Sequence, residues 1–255
     1  MIRFTMHQLF KNSILLAWPI LAITFVLIAL IFGSTEAAGN NSFVITFTDN
    51  ISLDSSMLTV QSFSIIWLIA MVSLPTHLVE NLQPERASLL FSKPLSRTDF
   101  FISDIAGVFI ITSLYALITA LVFGLYAGMT ASIFPVSFLK AILCIPLYML
   151  ALYAAISLMV VLTESYMASV FVVFALQPIS MVLFSFDELM PASGGMLKAI
   201  AGVLNYTIPS TGAAQSLISK VLNTASLEPA LAAHVLISTL PFFLLSYYVM
   251  TKKEF

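Results

Sequence analysis

Long apolar stretches alternate with short polar segments along most of the chain. Six of these stretches approach or exceed the roughly 20 residues that an α-helix needs to cross the hydrocarbon core of a bilayer. Backbone amides inside lipid find no water to bond, which favours helices, and the polar–apolar alternation of membrane strands is missing here. The pattern predicts six membrane-spanning helices, near residues 14–32, 58–79, 101–128, 138–161, 166–186 and 229–250.

Composition agrees with an all-α polytopic membrane protein that forms one domain, 1–255. Apolar residues make up 60% of the chain and charged residues 9%, whereas soluble proteins carry roughly 25% charged residues. The single cysteine, Cys144, lies in an apolar run and supports neither a disulfide framework nor a thiolate metal cluster. A net charge of -2 with scattered Lys and Arg gives no indication of nucleic-acid binding. We expect membrane lipid, and no nucleic acid, around this chain.

The positive residues beside the spans predict the orientation, because Lys and Arg are retained on the cytoplasmic side. With both termini in the cytoplasm, seven of the ten positive residues lie inside and three outside. We therefore expect a multi-pass protein of the plasma (cell inner) membrane. The first span follows Arg3 and Lys11 as a signal peptide would, but its apolar run of about 19 residues is longer than a typical h-region. A retained span is the favoured interpretation.

The segment 80–99, between spans two and three, is the longest internal segment and the one richest in charge. Pro84 suits the first turn of a helix because its missing amide is not needed there, and Glu85 beside it favours the positive helix end. Pro94 prevents the helix from continuing. A short helix from Pro84 to about Ser92 is predicted. Its apolar side consists of Leu89, Leu90 and Phe91.

Ser96 and Asp99 have the spacing of a capping box, in which the hydroxyl and the carboxylate each bond an orphaned amide. The third span is therefore expected to begin beside Ser96. From these patterns alone, the segment 80–99 is either a docking element or an ordinary solvated hairpin whose charges only fix the topology.

Residues 85–97 read Glu-Arg-Ala-Ser-Leu-Leu-Phe-Ser-Lys-Pro-Leu-Ser-Arg. This run resembles the loop of type-2 ATP-binding-cassette exporter permeases, which often reads Glu-Arg-Gly-Thr-Leu-Glu-Leu-Leu-Leu, a short spacer, Pro, an aliphatic residue, Ser and Arg. The basic ending 251–255 and the six-span plan also resemble those of this family. Within the family, the permease for copper-site maturation of nitrous oxide reductase has a similar loop. Two positions depart from the pattern: Ala87 stands where Gly is usual, and Phe91 interrupts the aliphatic run.

The resemblance implies a coupling helix that docks into a separate cytoplasmic ATP-binding-cassette ATPase, and a second permease copy or homologue as partner. ATP and Mg would be bound by that ATPase, and this chain would hold no cofactor. The implied ATPase contacts are Glu85, Arg86, Ser88, Leu89, Leu90, Ser92, Lys93, Pro94, Ser96 and Arg97.

The resemblance also bears on two amphipathic segments. Residues 3–11 fit a short helix along the inner membrane surface, although a plain basic anchor explains them equally well. The stretch 187–228 is too apolar for a free loop, and residues 196–204 and 210–222 within it are expected to form two short helices that dip into the outer leaflet.

The sequence offers little chemistry of its own. No phosphate-binding loop G-x-x-x-x-G-K-[ST] and no H-E-x-x-H motif is present, so an enzyme is not predicted. His77, Asp104 and Glu164 lie near the inner ends of spans. His234 lies within one and is expected to make a helix–helix hydrogen bond. Gly124 and Gly128 are expected to serve local packing.

The predicted function is that of a transport permease. The alternatives are a secondary carrier or channel without an ATPase, which the shortage of intramembrane charge disfavours, and a protein for anchoring or assembly. The substrate is not indicated by any residue.

Overall fold

A computed structural model of the chain describes residues 13–38, 42–48, 51–82 and 96–253. Within these ranges six helices are long and apolar enough to cross a membrane, which confirms the predicted number of spans. They are α1 (Ser13–Phe32), α2 (Ser55–Leu82), α3 (Arg97–Thr130), the α4–α5 pair (Val136–Leu143 and Ile145–Thr163), α6 (Tyr166–Phe184) and α10 (Pro229–Lys252). Between α6 and α10 lie α7 (Phe186–Leu189), α8 (Gly195–Thr207) and α9 (Thr211–Thr224).

Local chemistry explains two of the helix boundaries. Ser96 caps α3, its Oγ accepting from the amide of Asp99 at 3.0 Å, so the helix begins where the capping pattern predicts. The fourth span is interrupted at Cys144, and Pro146 lies in the first turn of α5, where its missing amide removes a hydrogen bond that would have joined α4 to α5. The two predicted helices at 3–11 and Pro84–Ser92 lie outside the described residues.

The all-α prediction is wrong for the segment between α1 and α2. A three-stranded antiparallel sheet occupies it, with β1 (Ser34–Ala37), β2 (Phe43–Thr48) and β3 (Ile51–Asp54) in that order. Along β2 the side chains alternate, and Phe43 and Ile45 are fully buried because successive residues of a strand face opposite sides. The sheet packs Phe43 edge-on against Phe138 at the start of the fourth span.

Helix α5 lies at the centre of the fold. It packs against α2, α3, α6, α9 and α10, and 83% of the most apolar window of the α4–α5 span is buried inside the protein. The corresponding fraction is 22% for α6 and 33% for α1 and α10. Helices α1, α6 and α10 therefore have the most exposed apolar surface among the spans, whereas α5 forms the core of the protein.

Candidate functional site

The sequence-predicted ATPase contacts fall mostly outside the described residues. Glu85, Arg86, Ser88, Leu89, Leu90, Ser92, Lys93 and Pro94 belong to the segment 83–95, which the described ranges omit. Ser96 and Arg97 are described, and they form the start of α3. The attachment of the segment 83–95 to the fold is therefore described through the residues on either side of it, Leu82 and Ser96.

Arg97 binds the end of the last helix. Its Nη1 donates to the backbone oxygens of Met250 at 2.9 Å and Thr251 at 3.1 Å, and also to that of Lys253. The last carbonyls of a helix have no partner within the helix and carry partial negative charge, so a guanidinium is a favourable ligand for them. The start of α3 is thus fixed to the end of α10.

Two further contacts extend this attachment. Thr98, next to Arg97, shares a hydrogen bond of 2.8 Å with the Tyr247 hydroxyl on α10. Lys253, just after α10, places its Nζ 2.6 Å from Glu164 Oε1 and 2.6 Å from the backbone oxygen of Val161. The start of α3 and the ends of α5 and α10 consequently form one connected end of the molecule.

Four polar side chains from three helices meet in a buried group, which we call the loop-root cluster. His77 Nε2 lies 3.0 Å from Asp104 Oδ1, and the Tyr153 hydroxyl donates to Asp104 Oδ2. The side-chain nitrogen of Asn81, one turn further along α2, lies 3.4 Å from His77 Nε2. The side chains of His77 and Asp104 are only 4% and 2% exposed. One carboxyl group therefore joins α2, α3 and α5.

The cluster lies close to the segment 83–95. His77 stands five residues before the end of α2 and Asp104 seven residues after the start of α3, so the cluster is within about 10 Å of the segment along either helix. Burying a carboxyl group is unfavourable unless both oxygens are bonded, and both oxygens of Asp104 have a partner. The arrangement can hold the ends of α2 and α3 in register against the middle of α5, and it also places the titratable side chains of His77 and Asp104 in contact inside an apolar domain.

Sequence reasoning found His77 and Asp104 near the ends of their spans but did not predict that they meet, and it did not single out Tyr153. One signal was present: His77 and Asn81 are four residues apart and therefore share a face of α2. A polar pair on one face of an apolar span indicates a buried polar partner on a neighbouring helix.

His234 makes the helix–helix hydrogen bond that the sequence predicts. Its Nε2 donates to the backbone oxygen of Asn205 near the end of α8, at 3.1 Å. Its ring also packs on Tyr206, with ring centroids 4.4 Å apart. Among the described residues, no three His, Cys, Asp or Glu side chains come together as a metal site. His234 is accounted for by packing.

Helix α9 is inserted among the long helices. Ser180 of α6 accepts from the amide of Gly212 at 2.9 Å, and Ser238 of α10 accepts from the amide of Ser210 at 2.9 Å. A Cβ at Gly212 would lie 2.8 Å from the backbone oxygen of Ser180, so the two backbones touch there because residue 212 is glycine. The hydroxyls satisfy amides at the start of α9 that have no partner within the helix.

Of the two glycines expected to serve local packing in α3, Gly124 has a close neighbour, whereas the nearest atom to a Cβ at Gly128 would be the backbone oxygen of Ile133 at 4.0 Å. A Cβ at Gly124 would lie 3.3 Å from Leu139 of α4, so the absence of a side chain lets α4 lie against α3.

Comparison of this chain with protein-family models, with characterised proteins and with solved structures finds no match.

Proposed function

We propose that this chain is the membrane-spanning permease subunit of an ATP-binding-cassette transporter. It forms the translocation path with a second copy or a homologue, and separate cytoplasmic ATPase subunits bind its segment 80–99. ATP and Mg belong to those subunits, so this chain is not an enzyme. Its location is the plasma (cell inner) membrane, with both termini in the cytoplasm and α8 and α9 in the outer leaflet.

The observation that carries the proposal is the attachment of the segment 83–95 to the fold. The helices on either side of it, α2 and α3, are joined to each other and to the central helix α5 by the carboxyl group of Asp104. Arg97 joins the same end of α3 to α10. A force applied to this segment reaches four long helices through hydrogen bonds, as a coupling element requires.

The mechanism follows from that attachment. Closure of the ATPase dimer on ATP would bring the coupling helices of two permease copies together. Because α2, α3 and α5 share the Asp104 carboxyl group, they would move as a unit rather than slide past each other. The central path would then open towards the outside, and ATP hydrolysis would reset it.

A mild-detergent purification of the tagged chain from its native membrane, followed by mass spectrometry, tests the proposal. A stoichiometric ATP-binding-cassette ATPase is expected, and it should be lost from the Glu85→Ala, Arg86→Ala double variant. The matched control is Lys220→Ala with Glu228→Ala, which removes an exposed ion pair of 2.9 Å near the start of α10, far from the segment 83–95. Repeated purification without any nucleotide-binding partner would overturn the proposal.

One observation favours a second candidate, a proton-driven secondary carrier. Ionisable groups buried in a membrane domain are characteristic of proton relays, and His77 with Asp104 is such a pair. The two candidates differ in their energy source. Uptake into vesicles that follows a proton gradient in the absence of ATP, and that disappears in His77→Gln, would favour the carrier. Dependence on ATP with no response to the gradient would favour the permease.

A further inference from the structure

A second polar region lies far from the loop-root cluster, between α2, α6 and α9. A cleft of about 260 Å³ opens there, and among the lining residues whose side chains the structure describes, five of seven are polar without charge. This size is close to the lower end of ligand pockets, roughly 300 Å³. We call it the neutral cleft, and the described side chains that line it are those of Thr59, Ser64, Gln177, Gln215, Ile218, Ser219 and Leu222.

The neutral cleft is set deep along the helices that form it. Ser64 is nine residues beyond the start of α2 at Ser55, or about 14 Å along the axis. Gln177 is seven residues before the end of α6 at Phe184, or about 10 Å. Polar side chains at such depth in a membrane domain are unfavourable unless they are bonded, and they mark pathways when they are not.

The polar groups of the cleft differ in what they already bind. Thr59 donates its hydroxyl proton to the backbone oxygen of Ser55 at 2.8 Å, which leaves its oxygen able to accept. The side chain of Gln215 lies close to the hydroxyl of Tyr148 on α5. Gln177, which is half-buried, makes no hydrogen bond to any residue in the described ranges. Its carboxamide offers both donors and an acceptor towards the cleft.

The wall formed by α9 is held rigidly. Gln215 follows Gly212 by one turn, and Gly212 is the residue whose backbone touches α6. Ser219 follows Gln215 by four residues, so both side chains point to the same side of α9. A site on a helix that is fixed at its start is preorganised for a ligand.

The chemistry of the lining selects the ligand class. An ion would lose its hydration without meeting an opposite charge, which is costly in an apolar domain. A purely apolar molecule would leave the Gln177 carboxamide without a partner. A molecule with hydroxyl or amide groups can bond Gln177, Thr59 and Ser219 while its apolar part contacts Ile218 and Leu222.

We infer that the neutral cleft is a substrate subsite for uncharged molecules that carry hydroxyl or amide groups, an inference that rests on the proposed role as a permease. Trp67 provides a reporter for it. This residue lies three positions beyond Ser64 on α2 and packs edge-on against Phe174 of α6, with ring centroids 5.2 Å apart. The Trp67 indole is thus about one turn from the cleft on both helices.

The test uses the full chain with Trp18→Phe in lipid nanodiscs, so that Trp67 is the single tryptophan, without any ATPase. Three brominated quenchers of similar size are compared: neutral bromopropanediol, anionic bromopropanoate and cationic bromopropylammonium. Saturable quenching by bromopropanediol alone is expected. Gln177→Leu should raise the concentration of bromopropanediol that gives half-maximal quenching about tenfold, which corresponds to the loss of one hydrogen bond. The control Thr207→Val, which removes a hydroxyl bonded within α8, should leave it unchanged.

A charge-introducing variant keeps the test decisive. Gln177→Glu should shift the preference from bromopropanediol to bromopropylammonium. Non-saturable quenching that is equal for the three probes, or quenching indifferent to both Gln177 variants, would overturn the inference. Saturable binding by a chain that purifies without an ATPase would leave the cleft standing and remove the permease proposal. A chain that purifies with an ATPase but shows no saturable quenching would overturn the inference about the cleft and leave the permease proposal standing.

Discussion

The loop-root cluster and the neutral cleft both place polar side chains among apolar helices, but they differ in how those side chains are satisfied. In the cluster, both oxygens of Asp104 are bonded to groups of the same chain. In the cleft, Gln177 has no such partner within the described part of the chain. Saturated polar groups hold helices together, whereas an unsaturated group is available to a ligand. The loop-root cluster is thus suited to holding helices together, and the neutral cleft is suited to binding a ligand.

Among the variants that test this comparison, Asp104→Ala should lower the free energy of unfolding the most. Removing one member of a buried pair leaves His77 and Tyr153 without their partner, and we expect a loss of about 3 kcal/mol or more in unfolding free energy. The loss corresponds to a decrease of roughly 6 °C or more in Tm. Thermal unfolding in nanodiscs measures it. Asp187→Ala is the control, since the Asp187 side chain is 81% exposed, and similar melting curves for the two variants would contradict the role assigned to the cluster.

The wall of the cleft can be disturbed through Gly212. In Gly212→Ala the new methyl group would lie 2.8 Å from the backbone oxygen of Ser180, so α9 has to move, at a cost of about 2 kcal/mol. Gly202→Ala is the matched control because nothing lies within 4 Å of its Cβ position in α8. That control should be neutral or stabilising by about 0.5 kcal/mol. Equal Tm values for the two variants would show that α9 is not fixed at Gly212.

The attachment of α3 to α10 depends on Arg97. Arg97→Ala removes charge-assisted hydrogen bonds to the carbonyl oxygens at the end of α10, and we expect a loss of about 1.5 kcal/mol, less if water replaces them. Hydrogen exchange of the amides at 247–253 should become faster, while exchange in α8 stays unchanged. Arg97→Lys should restore part of the protection. Unaltered exchange in Arg97→Ala would refute the contact.

A smaller effect is expected at the sheet. Asp54 caps the start of α2, accepting from Met57 N at 2.6 Å and from the Ser56 hydroxyl at 2.7 Å, and these bonds hold the pKa of its carboxyl group below the usual range. Since the pKa is lower in the folded state, this stabilisation is present above about pH 4 and is lost as the pH falls further. We expect about 0.5 kcal/mol.

The matching measurement compares the Tm at pH 7 and pH 3. Asp54→Asn keeps a side-chain oxygen that can cap the helix, so its Tm should fall less than that of the wild type between these two pH values. The same decrease in both proteins would exclude Asp54 as its source.

The smallest effect on stability is expected for a variant of the neutral cleft, Gln177→Leu. Gln177→Leu removes a side chain that bonds no other described residue, so its unfolding free energy should change by less than about 0.5 kcal/mol, even though binding of bromopropanediol is weakened about tenfold. A large destabilisation would mean that Gln177 serves the fold.

The spans were predictable because bilayer thickness fixes their length and water-free lipid fixes their composition. The sheet was missed although Phe43 and Ile45 alternate with Val44 and Thr46, since a hydropathy search weights long apolar runs over the two-residue period of a strand. The capping of α3 by Ser96 was readable, because it is a local interaction.

The meeting of His77, Asp104 and Tyr153 was not predictable, because an apolar span does not show which way it is rotated about its axis. Helix α5 is the clearest case: it is apolar on every side and buried on nearly all of them, so no face identifies its neighbours. The glutamines of the neutral cleft were overlooked for a different reason. A neutral polar residue within a span costs less than a charged one and is therefore a weak indicator of function. Gln177 and Gln215 come together only when α6 and α9 pack against each other.

The most direct test of the central claim is the rate of ATP hydrolysis by the complex that purifies through a tag on this chain. The account predicts hydrolysis in the wild type and its loss in the Glu85→Ala, Arg86→Ala variant, with hydrolysis retained in the Lys220→Ala, Glu228→Ala control. A wild-type preparation that hydrolyses no ATP, while a proton gradient alone drives uptake in vesicles, would contradict the permease assignment and favour the carrier.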